Sequence, residues 1–203
     1  MTDRLIPKSI LSLALLVLLS LGMAACFSTP YTFNGTPLDP PKPLPDLELM
    51  STEGRPFRLS ETKGDFTLVY FGYTFCPDVC PLTMVDVKQA LSELEEDRER
   101  VQVLFVSVDP ERDTPEVLDR YLAAFDPAYI GLTDEPAKIE EAKAAFGVFS
   151  AKEEVAGSAA GYLVSHSSYL FLLNPQGELH LLYAFGFEPE DLRSDLAHLL
   201  QEG

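Results

Sequence analysis

The chain has 203 residues, of which 46% are hydrophobic, and carries 32 acidic against 15 basic side chains for a formal net charge of −17. This length fits one globular domain with a tail, and the apolar fraction excludes wholesale disorder. The excess of acidic side chains argues against nucleic-acid binding, because neutralising phosphates requires a basic face. Three cysteines are too few for a disulfide scaffold, so each requires its own explanation.

Residues 1–25 predict a targeting segment. Arg4 and Lys8 precede an apolar run over residues 10–25, which is the layout of an export signal. The run is shorter than the roughly 20 residues of a membrane-spanning helix, and small residues precede Cys26. This resembles a bacterial lipoprotein signal that is cleaved before Cys26 and lipidated on its thiol. An uncleaved membrane anchor is the alternative, and both predict a domain held at the outer face of a membrane.

Residues 26–45 predict a tether between this segment and a folded domain at residues 46–203. Residues 36–45 read TPLDPPKPLP, which predicts a semi-extended spacer too rich in proline to pair or coil. Removing residues 1–25 removes one acidic and two basic side chains, leaving 31 acidic and 13 basic side chains and a net charge of −18. We therefore expect the exported domain to dock on a locally basic partner surface.

The elements of the domain begin with a predicted hairpin, whose strands at residues 47–50 and 56–59 flank a turn-rich insert. Residues 66–73, FTLVYFGY, predict a central strand buried on both faces. A helix is predicted over residues 81–98, with its buried side formed by Leu82, Val85, Leu91 and Leu94. The later predictions are strands at residues 101–108, 129–132, 168–173 and 178–185, and helices at residues 114–125, 135–146 and 189–201. This order predicts an α/β sheet that combines parallel crossovers with a final antiparallel pair.

The strongest local signal is the cysteine pair Cys76 and Cys80, in CPDVCP between the central strand and the first helix. Sites of α/β folds collect in such loops. Pro81 is predicted as the first helical residue, which places Cys80 at the helix cap, where amide groups favour a thiolate. Three interpretations stay open: a structural disulfide, a redox pair like that of thioredoxin but with three intervening residues instead of two, and a soft-metal site.

A metal site needs a further ligand, and the chain offers three histidines. His180 lies in a predicted strand and His198 in a predicted helix, where packing or solvated roles are the default. His166 precedes a strand and follows the small-residue stretch 156–161, which makes it the best candidate. Two thiolates and one imidazole form a three-coordinate set, whereas a closed structural zinc site takes four ligands. This donor set favours an exchangeable soft ion such as Cu(I).

Three blocks of the sequence carry a resemblance to a known family. They are FGYTFCPDVCP at residues 71–81, VSVDPERDTP at residues 106–115 and SHSSYLFLLNPQG at residues 165–177. The chain resembles, over residues 43–201, the Sco/SenC family of copper-binding proteins that assist assembly of the CuA centre of cytochrome c oxidase. The resemblance implies a thioredoxin-like mixed sheet flanked by helices, with an N-terminal hairpin extension. It also implies that Cys76, Cys80 and His166 bind one copper ion, as Cu(I) or Cu(II).

The resemblance further implies a membrane-tethered copper chaperone that delivers copper to the CuA domain of cytochrome c oxidase subunit II. The protein is then exported and anchored to the outer face of the bacterial cytoplasmic membrane, with another periplasmic copper carrier or a thiol reductant as a further partner. The alternative is an enzyme, a thiol-disulfide reductase in which Cys76 and Cys80 keep the CuA-site cysteines reduced. His166 discriminates between the two, because dithiol exchange does not need it. A peroxiredoxin-like peroxidase is disfavoured, because Cys76 lacks a Pro-x-x-x-Thr approach.

Two carboxylates within these blocks, Asp78 and Asp109, have more than one interpretation. Asp78 is either an outer oxygen ligand or a turn former. Asp109 ends a predicted strand at the same sheet edge as the cysteines, so it either lies near the metal or holds an adjoining loop. We favour local roles, in which Asp109, Arg112 and Asp113 cap the helix that starts near Thr114 and pair with one another. Ser165 stands where the family more often has Asp, so the environment of His166 is expected to differ.

Overall fold

A fully buried strand, Phe66–Gly72, forms the centre of the sheet in this computed structural model, which describes residues 30–154 and 161–202. Its seven residues are all buried, as the continuous apolar run predicts for a strand covered on both faces. The targeting segment at residues 1–25 and the lipidation of Cys26 fall outside the described residues, so both stay predictions.

Ten strands and four α-helices make up the described chain. The strands are β1 (Thr36–Pro43), β2 (Glu48–Ser51), β3 (Pro56–Arg58), β4 (Phe66–Gly72), β5 (Val101–Ser107), β6 (Ile130–Thr133), β7 (Ser150–Glu154), β8 (Tyr162–His166), β9 (Tyr169–Leu173) and β10 (Glu178–Ala184). The helices are α1 (Val79–Ser92), α2 (Pro115–Leu122), α3 (Pro136–Phe146) and α4 (Pro189–Glu202). Short 3₁₀ turns occupy Leu59–Thr62 and Glu95–Arg100. Within the described residues, none of the helices has the length and hydrophobicity of a membrane-spanning segment.

Eight of the strands form one mixed sheet in the order β1-β10-β9-β4-β5-β6-β2-β3. β4, β5 and β6 run parallel, as their helical crossovers require, and the other neighbours are antiparallel. This arrangement confirms the predicted parallel core, the final antiparallel pair β9 and β10, and the leading hairpin β2 and β3. It is the thioredoxin-like mixed sheet flanked by helices that the resemblance implied.

Local signals set several helix ends as predicted. Thr114 caps α2, with its side chain accepting a hydrogen bond from the Val117 amide at 3.4 Å, and Pro115 occupies the first helical position. α3 ends at Gly147, whose φ of +72° is a left-handed conformation that favours glycine. These ends depend on neighbouring residues only, which is why the sequence predicts them.

The prediction of an unpaired spacer at residues 36–45 is wrong for the strand β1. β1 is an edge strand that pairs antiparallel with β10, and its register shifts between Pro37 and Lys42. Proline lacks a backbone N–H, but an edge strand needs its hydrogen-bonding groups on one side only. The buried Asp195 on α4 also holds the start of this segment, since its carboxylate accepts hydrogen bonds from the amides of Asn34 and Gly35 at 2.9 to 3.1 Å.

The predicted buried side of helix α1 is confirmed at Leu91, and at Leu94 just after the helix, but it is wrong at the start of the helix. Leu82 and Val85, expected in the core, are 49% and 50% exposed. The helix instead buries the side formed by Cys80, Thr83, Met84, Val87, Ala90 and Leu91. Leu82 and Val85 are three residues apart, as are Cys80 and Thr83, so periodicity alone could not choose between the two pairs at the start of the helix. The helix also ends at Ser92, short of the predicted residue 98, and a 3₁₀ turn follows.

Strands β7 and β8 form a separate two-stranded antiparallel sheet that the sequence did not predict. Ser150 pairs with His166 and Glu154 pairs with Tyr162. His166, expected in a loop ahead of a strand, is therefore the last residue of a strand.

Candidate metal centre

The cysteine loop follows β4 at the carboxyl end of the parallel strands, where α/β folds place their sites. The strand ends at Gly72, and a Cβ atom there would come within 2.8 Å of the rings of Tyr70 and Phe105 and 3.0 Å of the Cys80 Sγ. Any larger residue would therefore displace the sulfur or the aromatic core beneath it. Gly72 is a site residue that sequence reasoning missed, because the tight approach exists only in the folded chain.

Helix α1 begins two residues earlier than predicted. Its N-cap is Asp78, so Cys80 is the second helical residue and Pro81 the third. Proline is tolerated throughout a first turn, since the first four helical amides have no partner within the helix. The Cys80 amide is one of these four, and it donates a hydrogen bond to the Cys76 Sγ at 3.4 Å. The helix N-terminus thus turns towards the sulfur of Cys76 instead of that of Cys80.

A buried carboxylate fastens the start of this loop to the neighbouring strand. Asp113 is fully buried and accepts hydrogen bonds from the Thr74 hydroxyl and the Ser107 hydroxyl, each at 2.6 Å, and from the Thr74 amide. Burial, as the largest cause, raises the pKa of Asp113 above its usual value. The prediction that Asp113 caps α2 and pairs locally is wrong: its carboxylate faces inward and orders the cysteine loop.

His166 completes the cluster from the other side. Its Nε2 lies 3.3 Å from the Cys80 Sγ, and its Nδ1 lies 3.0 Å from the Ser167 carbonyl oxygen. A carbonyl only accepts, so this contact places the proton on Nδ1 and leaves the Nε2 lone pair facing the sulfurs. Ser165 points away, with its hydroxyl donating to the Ala151 carbonyl at 3.3 Å. The backbone of Ser167 orients the imidazole, and Ser165 does not.

Two tyrosine rings border the imidazole. Tyr70 and Tyr73 meet the His166 ring edge to face, with centroids 6.1 and 5.9 Å away. The Tyr73 hydroxyl also accepts a hydrogen bond from the Val164 amide at 3.2 Å. Burial is the largest cause that raises the pKa of both tyrosines. The aromatic run FTLVYFGY predicted a buried strand, and the structure adds that two of its rings shape the site.

The pKa values of the two thiols are shifted in opposite directions. The pKa of Cys76 is lowered to about 4, chiefly because the Cys80 thiol donates a hydrogen bond to its sulfur, with further contributions from His166 and the amides of Asp78 and Cys80. The pKa of Cys80 is raised, first because it is buried and then because the Cys76 thiolate lies beside it. The reduced pair therefore holds one proton and one negative charge near neutral pH, with the charge on the more accessible sulfur.

The ligand atoms of Cys76, Cys80 and His166 all lie within 4.8 Å of one another, and both cysteines are free. Over residues 30–154 and 161–202, this is the group of histidine, cysteine and carboxylate side chains with the spacing of a metal site. A metal held in a plane by three donors at the usual bond lengths places those donors about 4 Å apart. The structure brings together the residues predicted as ligands. His180 and His198, both packed edge-on against Phe33, do not take part.

Neither predicted carboxylate joins the cluster. Asp78 is exposed. Asp109 is fully buried and accepts hydrogen bonds from the Arg112 Nε at 2.5 Å and the Tyr162 hydroxyl at 2.7 Å. The contact with Arg112 confirms the predicted local pairing of Asp109. Because Tyr162 lies on β8, Asp109 also holds an adjoining segment, which was another of its predicted roles. The contribution of Tyr162 escaped sequence reasoning, because its partner lies 53 residues earlier in the chain.

The fold and the site define a thioredoxin-like protein with a cysteine pair and a histidine at the carboxyl end of its parallel strands. Comparison with known proteins gives the family: the SCO1/SenC family model matches residues 38–201, and the chain belongs to this family. An SCO2-like protein of Rickettsia felis is 33% identical over 147 residues, which is 72% of each chain.

Two solved structures are similar to this chain. Apo Sco1 of Thermus thermophilus is 42% identical, with a TM-score of 0.72 over 87% of this chain and all of that one. ScoI of Bradyrhizobium japonicum, solved with copper bound, is 32% identical, with a TM-score of 0.70 over 77% of this chain and 98% of that one.

Proposed function

We propose that this protein binds one copper ion through Cys76, Cys80 and His166 and delivers it to the CuA centre of cytochrome c oxidase subunit II. The observation that carries the proposal is the convergence of two sulfurs and one imidazole nitrogen within 4.8 Å, from segments 86 residues apart in the chain. Family membership and the copper-bound ScoI of Bradyrhizobium japonicum support copper as the ion.

The donor set suits a thiophilic ion that must leave again. Thiolates and imidazole select copper over hard cations, and three ligands leave a coordination position open that a closed zinc site would fill. Cys76 is the more accessible of the two cysteines, since it is 9% exposed whereas Cys80 is fully buried. An incoming thiolate or imidazole of the acceptor can approach from the Cys76 side and replace the ligands one at a time.

Copper binding and thiol redox state are linked in this proposal. Metal ligation requires deprotonated thiols, so a disulfide between Cys76 and Cys80 abolishes the site. The low pKa of Cys76 means that one thiolate is already present in the apo protein at neutral pH. Copper then displaces a single proton, from Cys80.

The same asymmetry supports a second function, reduction of the CuA-site cysteines. The Cys76 thiolate attacks one sulfur of the target disulfide and releases the other as a thiolate, forming a mixed disulfide. Cys80, once deprotonated, attacks the Cys76 sulfur and releases the second target thiol. The target gains two electrons and the Cys76–Cys80 pair loses two, so each cycle needs an external thiol reductant to restore the pair.

An anaerobic Cu(I) competition titration tests the first function. We expect the reduced protein to bind one Cu(I), and His166→Ala to weaken binding by about tenfold or more (~1.4 kcal/mol) through loss of one ligand. His198→Ala serves as the matched control, since His198 packs on Phe33, and it should bind as the wild type does. Equal affinity of wild type and His166→Ala would refute the three-ligand site.

Two further measurements on the same variants distinguish copper delivery from reduction of the CuA-site cysteines. His166→Ala should still exchange disulfides, because that chemistry uses the cysteines alone. In cells, we expect His166→Ala to lower copper loading of the CuA centre if delivery is the function. Normal CuA loading with His166→Ala, but not with Cys76→Ser, would favour reduction over delivery.

We propose a membrane tether at the outer face of the bacterial cytoplasmic membrane, as the basic and apolar pattern of residues 1–25 predicts. Because β1 already belongs to the sheet, only residues 27–35 separate Cys26 from the strand, and nine residues span at most about 30 Å. The tether is thus shorter than the sequence predicted. Fatty-acid labelling that persists in Cys26→Ser would refute attachment at that residue.

A further inference from the structure

The hairpin that carries His166 has little support of its own. β7 and β8 pair only with each other, and an isolated two-stranded hairpin is marginally stable in water. The cysteines, in contrast, follow a fully buried strand of the eight-stranded sheet. The position of the imidazole relative to the sulfurs therefore depends on whatever fastens β8 to the rest of the domain.

One face of β8 lies against the domain along the length of the strand. Alternate residues of a strand share a face, so Tyr162, Val164 and His166 lie on the same side. At the far end, the Tyr162 hydroxyl donates to Asp109 at 2.7 Å, and in the middle Val164 is buried. His166 closes the row beside Cys80. The buried Asp109 thus holds the end of the strand opposite to the ligand.

Arg112 ties this end of β8 to the cysteine loop. Its Nε donates to Asp109 at 2.5 Å, and its Nη1 donates to the Tyr162 carbonyl at 3.1 Å. Its guanidinium carbon lies 3.7 Å from the centroid of the Tyr162 ring and 4.8 Å from that of Phe75, the residue before Cys76. A planar guanidinium can stack on rings and bond in its own plane at once, which lysine cannot do.

The other strand of the hairpin is held by the same segment. Lys152 on β7 forms an ion pair with Glu111 at 2.6 Å, and its ammonium lies 4.7 Å from the Tyr162 ring centroid. Both side chains of this ion pair are exposed, so it contributes little by itself. The buried Asp109 and the mostly buried Arg112 are the stronger partners, with 0% and 16% of their side chains exposed.

We propose that Arg112 is a positioning residue which, together with Asp109 and Tyr162, holds the β7–β8 hairpin so that the His166 Nε2 stays within reach of the two sulfurs. The proposal rests on the proposed function, in that His166 must be a copper ligand. It assigns Arg112 an effect on copper that acts through the imidazole and not through the thiolates. Partners that orient a metal-binding histidine typically change metal affinity by about 10- to 100-fold when removed.

A double-mutant cycle on Cu(I) affinity tests this assignment in the full chain. Arg112→Ala should weaken Cu(I) binding by about tenfold or more in the wild-type background. In the His166→Ala background, Arg112→Ala should have no further effect, because the ligand that it positions is already absent. An equal loss in both backgrounds would overturn the proposal, as would unchanged affinity for Arg112→Ala alone.

Arg98 provides a matched control. It pairs with Asp126 at 3.0 Å, donates to the Val101 carbonyl at 2.7 Å and lies 6.0 Å from the Tyr129 ring centroid. These are the same kinds of contact that Arg112 makes. They lie at the start of β5, which is the opposite end of the parallel strands from the cysteines. Arg98→Ala should lower thermal stability without changing Cu(I) affinity. If Arg112→Ala does not fold, Arg112→Lys takes its place in the cycle, with a smaller loss expected in the same pattern.

A second readout needs no copper. Amide hydrogen exchange of β8 in the reduced apo protein should be faster in Arg112→Ala and unchanged in Arg98→Ala. Unchanged exchange in Arg112→Ala would overturn the proposal even if copper affinity falls. If His166→Ala itself leaves Cu(I) affinity unchanged, the three-ligand site fails. If only Arg112→Ala leaves it unchanged, the site stands and the positioning role fails.

Discussion

The two arms of the metal centre are built in different ways. The cysteine arm follows β4, whose seven residues are all buried, and continues into α1, whose inner side includes Cys80. The histidine arm is a two-stranded hairpin outside the main sheet, held by Tyr73, Asp109 and Arg112 through individual polar contacts. The core thus fixes the sulfurs, whereas a few side chains set the position of the imidazole.

This difference predicts where substitutions act. Substitutions in the packing beneath the cysteines should lower both the folding stability and the copper affinity, because that packing stabilises the fold and also positions the sulfurs. Changes beneath the histidine should cost copper affinity with a smaller loss of global stability, because local opening of a peripheral hairpin leaves the core intact. A carrier benefits from such a division, since one ligand can be released without disturbing the other two.

The largest effect is expected from Gly72→Ala, which overpacks the cysteine arm. The added methyl group would meet the Tyr70 and Phe105 rings at 2.8 Å and the Cys80 Sγ at 3.0 Å. We expect a loss of about 1–3 kcal/mol in the free energy of unfolding, together with weaker Cu(I) binding. Denaturant unfolding and Cu(I) competition measure the two losses.

Gly131→Ala is the control for that substitution. Its methyl group would meet Leu118 and Thr52 at 2.6 Å, so it overpacks the same sheet away from the sulfurs. It should lose stability and keep Cu(I) affinity. If Gly72→Ala also kept its affinity, the cysteine arm would not depend on the packing beneath it.

A smaller effect is expected from Tyr73→Phe, which loosens the histidine arm. The change removes the acceptor of the Val164 amide and leaves a buried N–H without a partner, which costs about 1 kcal/mol. Amide exchange should quicken in β8 while β4 stays protected. Tyr183→Phe, which removes a buried hydrogen bond to Asp195, is the control and should leave β8 exchange unchanged. Uniform acceleration over both sheets would contradict the division into two arms.

The smallest effect is expected on the pKa of Cys76 in the cysteine arm, to which His166 in the histidine arm contributes. The pKa of Cys76 is lowered to about 4, so its thiolate persists as the pH falls from 9 towards 5, and its alkylation rate should stay nearly level over that range. His166 also contributes to the lowering of this pKa, so in His166→Ala the rate should begin to fall at a higher pH. Identical pH profiles would show that the arms do not communicate in the apo protein.

Much of the fold could be predicted from the sequence, because it depends on patterns that neighbouring residues complete. The continuous apolar run of β4 specifies a buried strand, Thr114 and Pro115 specify a helix start, and Gly147 specifies a helix end. The cysteines could be predicted for the same reason, since their loop lies between a strand and a helix that are both evident.

Other features required the folded chain. The Pro-rich segment became the edge strand β1, because β10 offers a free edge and Asp195 holds the amides of Asn34 and Gly35. Helix α1 buried the side that includes Cys80 instead of Leu82 and Val85, because two apolar stripes compete on one helix and the sheet accepts one of them.

The order of residues was thus enough to predict the family, the parallel core and the residues with the right chemistry for a soft metal. The folded chain was needed to show that the His166 Nε2 faces the sulfurs, that Gly72 makes room for one of them, and that Arg112 reaches the histidine strand. The two groups of features differ in the distance along the chain between the residues involved. Residue type and local spacing can be recognised from neighbouring positions, whereas contacts between residues 50 to 91 positions apart exist only once the sheet has formed.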